Sequence, residues 1–275
     1  MGASAAVMAT YSPAGSSYDT DAQAYFDAIV TNGGTISTAS KGYANTWFLA
    51  AKSHSYFTKL KCFNLVMGDQ LAAALVQYNG NASTSSVATN GGGNFASGDY
   101  TESTGLTGNG TTKYLDTGFS SGGLTTSSTS LSIYNRKSSA NGGAHGVIVS
   151  SNIFRSYAPY SDGVFYADQY TAGTGGRVSN ATGGTPYGFL TASRIGDFDL
   201  SIYRNGSFLK MNSNFVAGSV PSGNVYIFAV NSSGATEVAD TICAGYFIGD
   251  GLSSGNVTDL YNDLQAMQTS LGRNV

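Results

Sequence analysis

Residues 198–230, FDLSIYRNGSFLKMNSNFVAGSVPSGNVYIFAV, decide the fold class. Leu200 and Ile202 alternate up to Asn205-Gly206, and Phe208 and Lys210 alternate away from it. Asn-Gly readily takes φ > 0 at both central positions of a type I′ turn, whose twist matches that of the strands it joins. The spacing therefore predicts a β-hairpin. A loop then leads through Ser222-Gly223 to Val225, Tyr226, Ile227, Phe228, Ala229 and Val230, whose β-branched and aromatic side chains suit the middle of a sheet.

The same grammar of short strands and small-residue turns extends outward from this hairpin. Strands are expected at 112–119, 130–135, 146–151, 152–157, 163–168, 187–193 and 242–248, separated by Gly, Asn, Ser and Asp. The N-terminal part reads differently. Residues 1–17 are small and polar and read as an extended arm. From Asp19 a short helix opens with acidic residues and ends at Asn32-Gly33-Gly34, a second fits 37–54, and a third covers 70–76. The apolar run 57–67 is open between helix and strand. Residues 18–78 thus form a small helical docking unit that needs something to pack on, since about 60 residues bury too little surface alone. Residues 79–94, rich in Gly, Ser, Asn and Thr, read as a linker, and 95–275 as the sandwich. A last helix is capped by Ser253 or Ser254. Its apolar face is Val257, Leu260, Tyr261, Leu264, Met267 and Leu271, and it stops at Gly272 with Arg273 beyond. Its other face, Thr258, Asn262, Asp263, Gln265 and Gln268, is expected in solvent. The fold class expected is mainly β, an antiparallel jelly-roll sandwich with N-terminal helices and a C-terminal helix.

Composition narrows the partners. Of 275 residues only 11% are charged and the net charge is -3, with no basic stripe, so nucleic acid is not expected. With 37 Gly, 18 Tyr and abundant Ser, Thr and Asn, the surface is largely neutral hydroxyl and amide. Cys62 and Cys243 are far apart in apolar contexts and read as small buried hydrophobes. Residues 1–10 lack a basic n-region, and no apolar run reaches the roughly 18 residues of a membrane span. A soluble protein with no membrane partner is expected, leaving the cell by lysis or inside a particle.

Several segments together resemble a family of bacteriophage structural proteins with a C-terminal laminin-G-like, concanavalin A-like jelly roll. These are YDTDAQAYFDAI (18–29), KYLDTGF (113–119), SIYRNGSF (201–208), NVYIFAV (224–230) and the ending YFIGDGLSSGNVTDLYNDLQAMQTSLGRNV (246–275). The resemblance implies a non-enzymatic virion component, a capsid decoration, head fibre or tail appendage. Such a protein would sit among other capsid or tail proteins, form a homo-oligomer and carry lectin-like capacity for a host surface glycan.

The residues themselves give catalysis little support. Glycan-cleaving jelly rolls use paired carboxyls about 5–10 Å apart, and here the only two glutamates, Glu102 and Glu237, lie far apart in turn-like contexts. His54 and His145 fall in different units, and no G-x-S-x-G elbow appears. The remaining chemistry is binding. Tyr157, Tyr160, Asp162, Tyr166, Asp168 and Tyr170 form the candidate sugar site, with rings for stacking and carboxylates for hydroxyl groups. Asp197 and Asp199, alternating around Phe198, are the candidate oxygen ligands for Ca²⁺. A free glycan-binding lectin is the alternative function, and a glycanase ranks below it.

Overall fold

A computed structural model describes residues 18–80, 84–91, 95–137, 143–158, 160–173, 175–181, 187–214 and 218–275. The expected arm at 1–17 lies outside the described residues. The chain folds as a mainly β, antiparallel jelly-roll-type sandwich. The first sheet runs in the order β15 (Ser207–Asn212), β14 (Leu200–Arg204), β13 (Gly188–Ile195), β8 (Ser128–Asn135), β19 (Ile242–Gly249), β1 (Leu60–Asn64), β2 (Val76–Asn79) and β3 (Thr84–Val87). Beside β19, β6 (Gly105–Thr107) pairs with β5 (Tyr100–Thr101). The second sheet runs β12 (Val178–Ala181), β11 (Val164–Ala172), β10 (Asn152–Tyr157), β9 (His145–Val149), β16 (Asn224–Ile227), β7 (Tyr114–Ser120) and β4 (Thr89–Gly91). A small hairpin of β17 (Val230–Asn231) and β18 (Ala235–Thr236) joins it, with β17 parallel to β9.

The expected hairpin forms β14 and β15. Asn205 and Gly206 have φ of 48° and 74°, as a type I′ turn requires. Gly206 is needed twice over, because a Cβ there would also sit 3.1 Å from the Tyr261 ring. The helices lie near their expected bounds: α1 (Thr20–Thr31) capped by Asp19, α2 (Thr38–Ser53) capped by Ser37, and α4 (Ser254–Ser270) capped by Ser253. α3 (Leu71–Ala74) is a single turn, shorter than the reading of 70–76, because Val76 already enters β2. Among the described residues no helix is long and apolar enough to cross a membrane.

Two cores explain the layering. Between the sheets, Leu131, Ile133, Ile202 and Ile248 from the first sheet meet Leu115, Val147, Phe154 and Phe165 from the second. On the other face of the first sheet, Phe63, Tyr134, Phe189 and Phe247 are covered by Phe26, Trp47 and Phe48 of α1 and α2 and by Leu260 and Leu264 of α4. The segment left open between helix and strand is β1, paired with β19 at Phe63↔Phe247. The helices therefore do not form a unit apart from the sandwich; 60–79 supplies two of its strands. Likewise the stretch read as a linker contains β3 and β4, each built into a sheet.

The end of α4 departs from its expected amphipathic face. Gln268, expected in solvent, is fully buried; its Nε2 donates to the Ala244 carbonyl and its Oε1 accepts from Arg273 Nε. Arg273, also fully buried, donates further to the carbonyls of Leu65, Val66, Glu102 and Ala244. It thereby joins the β1–α3 loop, the β5–β6 turn and β19, and helps hold Val66, a β-branched residue, at φ 47°. Arg273→Met takes the guanidinium donors from the Leu65, Val66 and Glu102 carbonyls and from Gln268 Oε1. It is expected to cost about 3 kcal/mol or more, since each buried unpaired polar group costs about 1–3 kcal/mol, read as a lower urea midpoint with unchanged slope.

Candidate functional site

The second sheet has one face on the core and the other turned outward, and the candidate site lies on the outward face. Antiparallel register brings it together. β10 pairs with β11 at Tyr157↔Tyr166 and Arg155↔Asp168, and β11 pairs with β12 at Tyr166↔Ser179 and Ala167↔Val178. Because side chains alternate along a strand, Arg155 of β10, Asp168 of β11 and Arg177, the residue immediately before β12, form one row, and Tyr157 and Tyr166 the next. Phe154, Phe165, Ala167 and Val178 point the opposite way, into the core.

In the charged row, Asp168 is fully buried and receives three N–H groups. Arg155 Nε reaches Oδ2 at 3.1 Å, and Arg177 binds with both Nε (3.0 Å to Oδ1) and Nη2 (2.7 Å to Oδ2). Arg155 Nη1 also donates to both oxygens of Glu237, at 2.9 and 3.1 Å, and the Tyr157 hydroxyl donates to Glu237 Oε2 at 2.9 Å. Glu237 arrives from the turn after β18 with φ 50°. Burial works against the charge of Arg177, but the hydrogen bonds and charge of Asp168 outweigh it and raise its pKa. The Tyr157 hydroxyl is pushed up first by burial, with Glu237 adding to it and Arg155 opposing.

Above this row the rings close a cleft of about 170 Å³, lined by Tyr157, Tyr160, Tyr166 and Arg177. The three rings meet edge to face, with centroids 5.1 to 6.1 Å apart. The Arg177 guanidinium stands 5.5 Å from the Tyr157 centroid and 5.1 Å from that of Tyr166, and Arg155 is 4.9 Å from Tyr157. Tyr160 lies on the turn between β10 and β11 and is 37% exposed. Asp162 on the same turn accepts from Val164 N and, at 2.6 Å, from the Tyr166 hydroxyl, which raises the pKa of that phenol.

The structure thus gathers Tyr157, Tyr160, Asp162, Tyr166 and Asp168, and it removes Tyr170. Strict alternation would place Tyr170 beside Tyr166 and Asp168. A bulge intervenes: Phe154 pairs with Gln169 and Ile153 with Thr171, so Tyr170 is the extra residue, at φ 51°. Its ring turns into the core, stacked 5.3 Å from Phe154, with its hydroxyl donating to the Ser121 carbonyl. Arg155, Arg177 and Glu237 are the site residues that the sequence reading missed. The available signal was the alternation Arg155/Tyr157 in NIFRSY, which puts a cation beside a candidate ring.

Asp197 and Asp199 sit in the turn before β14 and face a cation already in place. The buried Arg194 donates from Nη2 to the Asp197 carbonyl, while Asp199 Oδ1 accepts from Ile195 N. Their charges support the Arg194 guanidinium against the burial that lowers its pKa. Among the described residues no three His, Cys, Asp or Glu side chains gather as a metal site would need. The two glutamates lie on turns of different sheets, Glu102 after β5 accepting from Ser40 Oγ and Gly68 N. His54 stands between α2 and α4, with Nδ1 3.4 Å from Asp259.

No protein-family model and no curated protein sequence matches this chain. Solved structures resemble it in fold. The botulinum neurotoxin serotype D binding domain aligns at 12% identity and TM-score 0.47, over 76% of this chain and 53% of its own. The NanB sialidase from Streptococcus pneumoniae aligns at 15% and 0.44, over 55% and 26%. Domain 4 of the extracellular arabinanase AbnA from Geobacillus stearothermophilus, solved with arabinotriose, aligns at 13% and 0.38, over 56% and 74%. This chain thus spans about a quarter of the sialidase and about half of the toxin domain.

His145 begins β9 and is fully buried. Its Nδ1 accepts from Phe228 N at 2.9 Å, and burial pushes its pKa down to about 3. The unfolded chain takes this proton near pH 6.5. Between about 6.5 and 3 the unfolded state therefore binds more protons, and stability falls as pH is lowered. Above that window His145 adds no pH dependence. Urea midpoints measured from pH 7 to 4 are expected to decline more steeply for the native protein than for His145→Gln.

Proposed function

We propose that this chain is a non-enzymatic carbohydrate-binding β-sandwich whose ligand sits in the cleft of Tyr157, Tyr160, Tyr166 and Arg177. The observation that carries the reading is a cleft of aromatic walls on the outward face of a sheet, with a buried row of ion pairs holding it from beneath. Sugars present apolar C–H faces and equatorial hydroxyls, so a site for them needs ring surface with donors and acceptors at its edge. Tyr160 offers the exposed ring; Asp162 and Arg177 flank it. The carboxylates here are held by hydrogen bonds to Arg155, Arg177, Tyr157 and Tyr166, which suits positioning rather than proton transfer. Tyr160→Ala is expected to leave the thermal transition in place and to weaken glycan binding by calorimetry about five- to tenfold, equivalent to about 1–1.4 kcal/mol. Unchanged binding in this variant would remove the cleft from the reading.

A second reading concerns where the module works. The resemblance of five segments to bacteriophage structural proteins supports display on a virion, as a homo-oligomer beside capsid or tail proteins. Mass spectrometry of gradient-purified particles from a producing culture is expected to recover the chain with the capsid protein. Recovery solely in the soluble fraction would leave a free lectin.

A further inference from the structure

The hydrogen-bond capacity left in the cleft is unequal. Asp168 already receives three N–H groups, Glu237 receives Arg155 Nη1 and the Tyr157 hydroxyl, and Asp162 receives Val164 N and the Tyr166 hydroxyl. The charged side chain on the cleft wall is Arg177. Its Nε–Nη2 edge is committed to Asp168, the Tyr157 hydroxyl lies beside it as a further partner, and the planar guanidinium carries a second edge, Nη1–Nη2, with two roughly parallel N–H directions. Such an edge matches the two oxygens of a carboxylate, whereas a hydroxyl group uses one of the donors. Tyr157 and Tyr166 flank the guanidinium, and Asp168 fixes its plane from below. The side chain is therefore held before any ligand arrives, and little ordering remains to oppose binding.

We infer that the ligand of this cleft is a saccharide bearing a carboxylate, gripped by the Nη1–Nη2 edge of Arg177 while its ring lies against Tyr160. This inference rests on the saccharide reading above and adds the charge class. Calorimetry with the full chain tests it, using oligosaccharides that carry glucuronate, galacturonate or sialate, each beside its methyl ester, together with neutral oligosaccharides. At least one acid is expected to bind ten times or more tightly than its ester. That advantage should shrink in about 0.5 M salt, where the screening length falls to a few ångströms, and should be lost in Arg177→Gln. The acid–ester comparison uses the native protein, so the test holds even if the variant fails to fold. Equal binding of acid and ester, or binding of neutral sugars alone, overturns the charge class and leaves the saccharide reading standing. Binding of no saccharide from any set overturns both.

Discussion

The central strands of the first sheet are buried on both faces, and the rest of the architecture follows from that constraint. β8, β19 and β1 send Leu131, Ile133, Tyr246, Ile248 and Cys62 toward the second sheet and Tyr134, Phe247, Phe63 and Leu60 toward the helices. Neither cover can be omitted without exposing a continuous apolar surface, and burial of such surface is the main force holding a domain together. This is why helices from both ends of the sequence converge on one face. The cost is visible at the centre of the sheet, where Ser132 Oγ and Thr191 Oγ1 are buried without a hydrogen-bond partner among the described residues. The second sheet is under no such demand on its outward face. There, polar and aromatic residues take up positions that packing does not dictate, and the cleft sits on that face.

The strength of the cleft comes from sharing. One buried carboxylate serves two guanidiniums, and one of these reaches a second carboxylate on a distant loop. Burying any of these charges alone would be costly; together each meets an opposite charge at hydrogen-bond distance. The network fixes three strands and the turn after β18 relative to one another, so the tyrosines above it inherit a defined geometry.

Legibility in the sequence tracked the range of the interactions. The hairpin was readable because Asn205-Gly206 determines its turn locally, and α1, α2 and α4 were readable from caps and periodicity. Tyr157, Tyr166 and Tyr170 read together as one tyrosine-rich stretch, and Tyr170 parts from the others because nothing local announces a bulge that depends on pairing with β10. The Arg155–Asp168–Arg177 row needed the register of three strands, one of which, β12, follows a glycine run and was not expected. Glu237 reaches the row from about 70 residues further along the chain than Asp168. Gln268 looked like a solvent-facing polar residue, and the burial of Arg273 was not foreseen, because their partners are backbone carbonyls and each other, which no side-chain pattern reveals. Segment 57–67 stayed open between helix and strand, and 79–94 was read as a linker, because strands buried on both faces or lying at a sheet edge lose the alternation that identifies them.

The position of β19 has a kinetic consequence. It lies between β8 and β1 in the first sheet, yet those neighbours begin at residues 128 and 60 while β19 begins at 242. During synthesis, β1 and β2 leave the ribosome long before the strand that attaches them to the sheet exists. At roughly 5–20 residues per second, that interval is on the order of ten seconds or more. Contacts this distant in sequence make closure of the sheet slow and late. Over that interval Trp47 and Phe63 lack Phe247 of β19 to lie against, and they are the surfaces on which a chaperone would act.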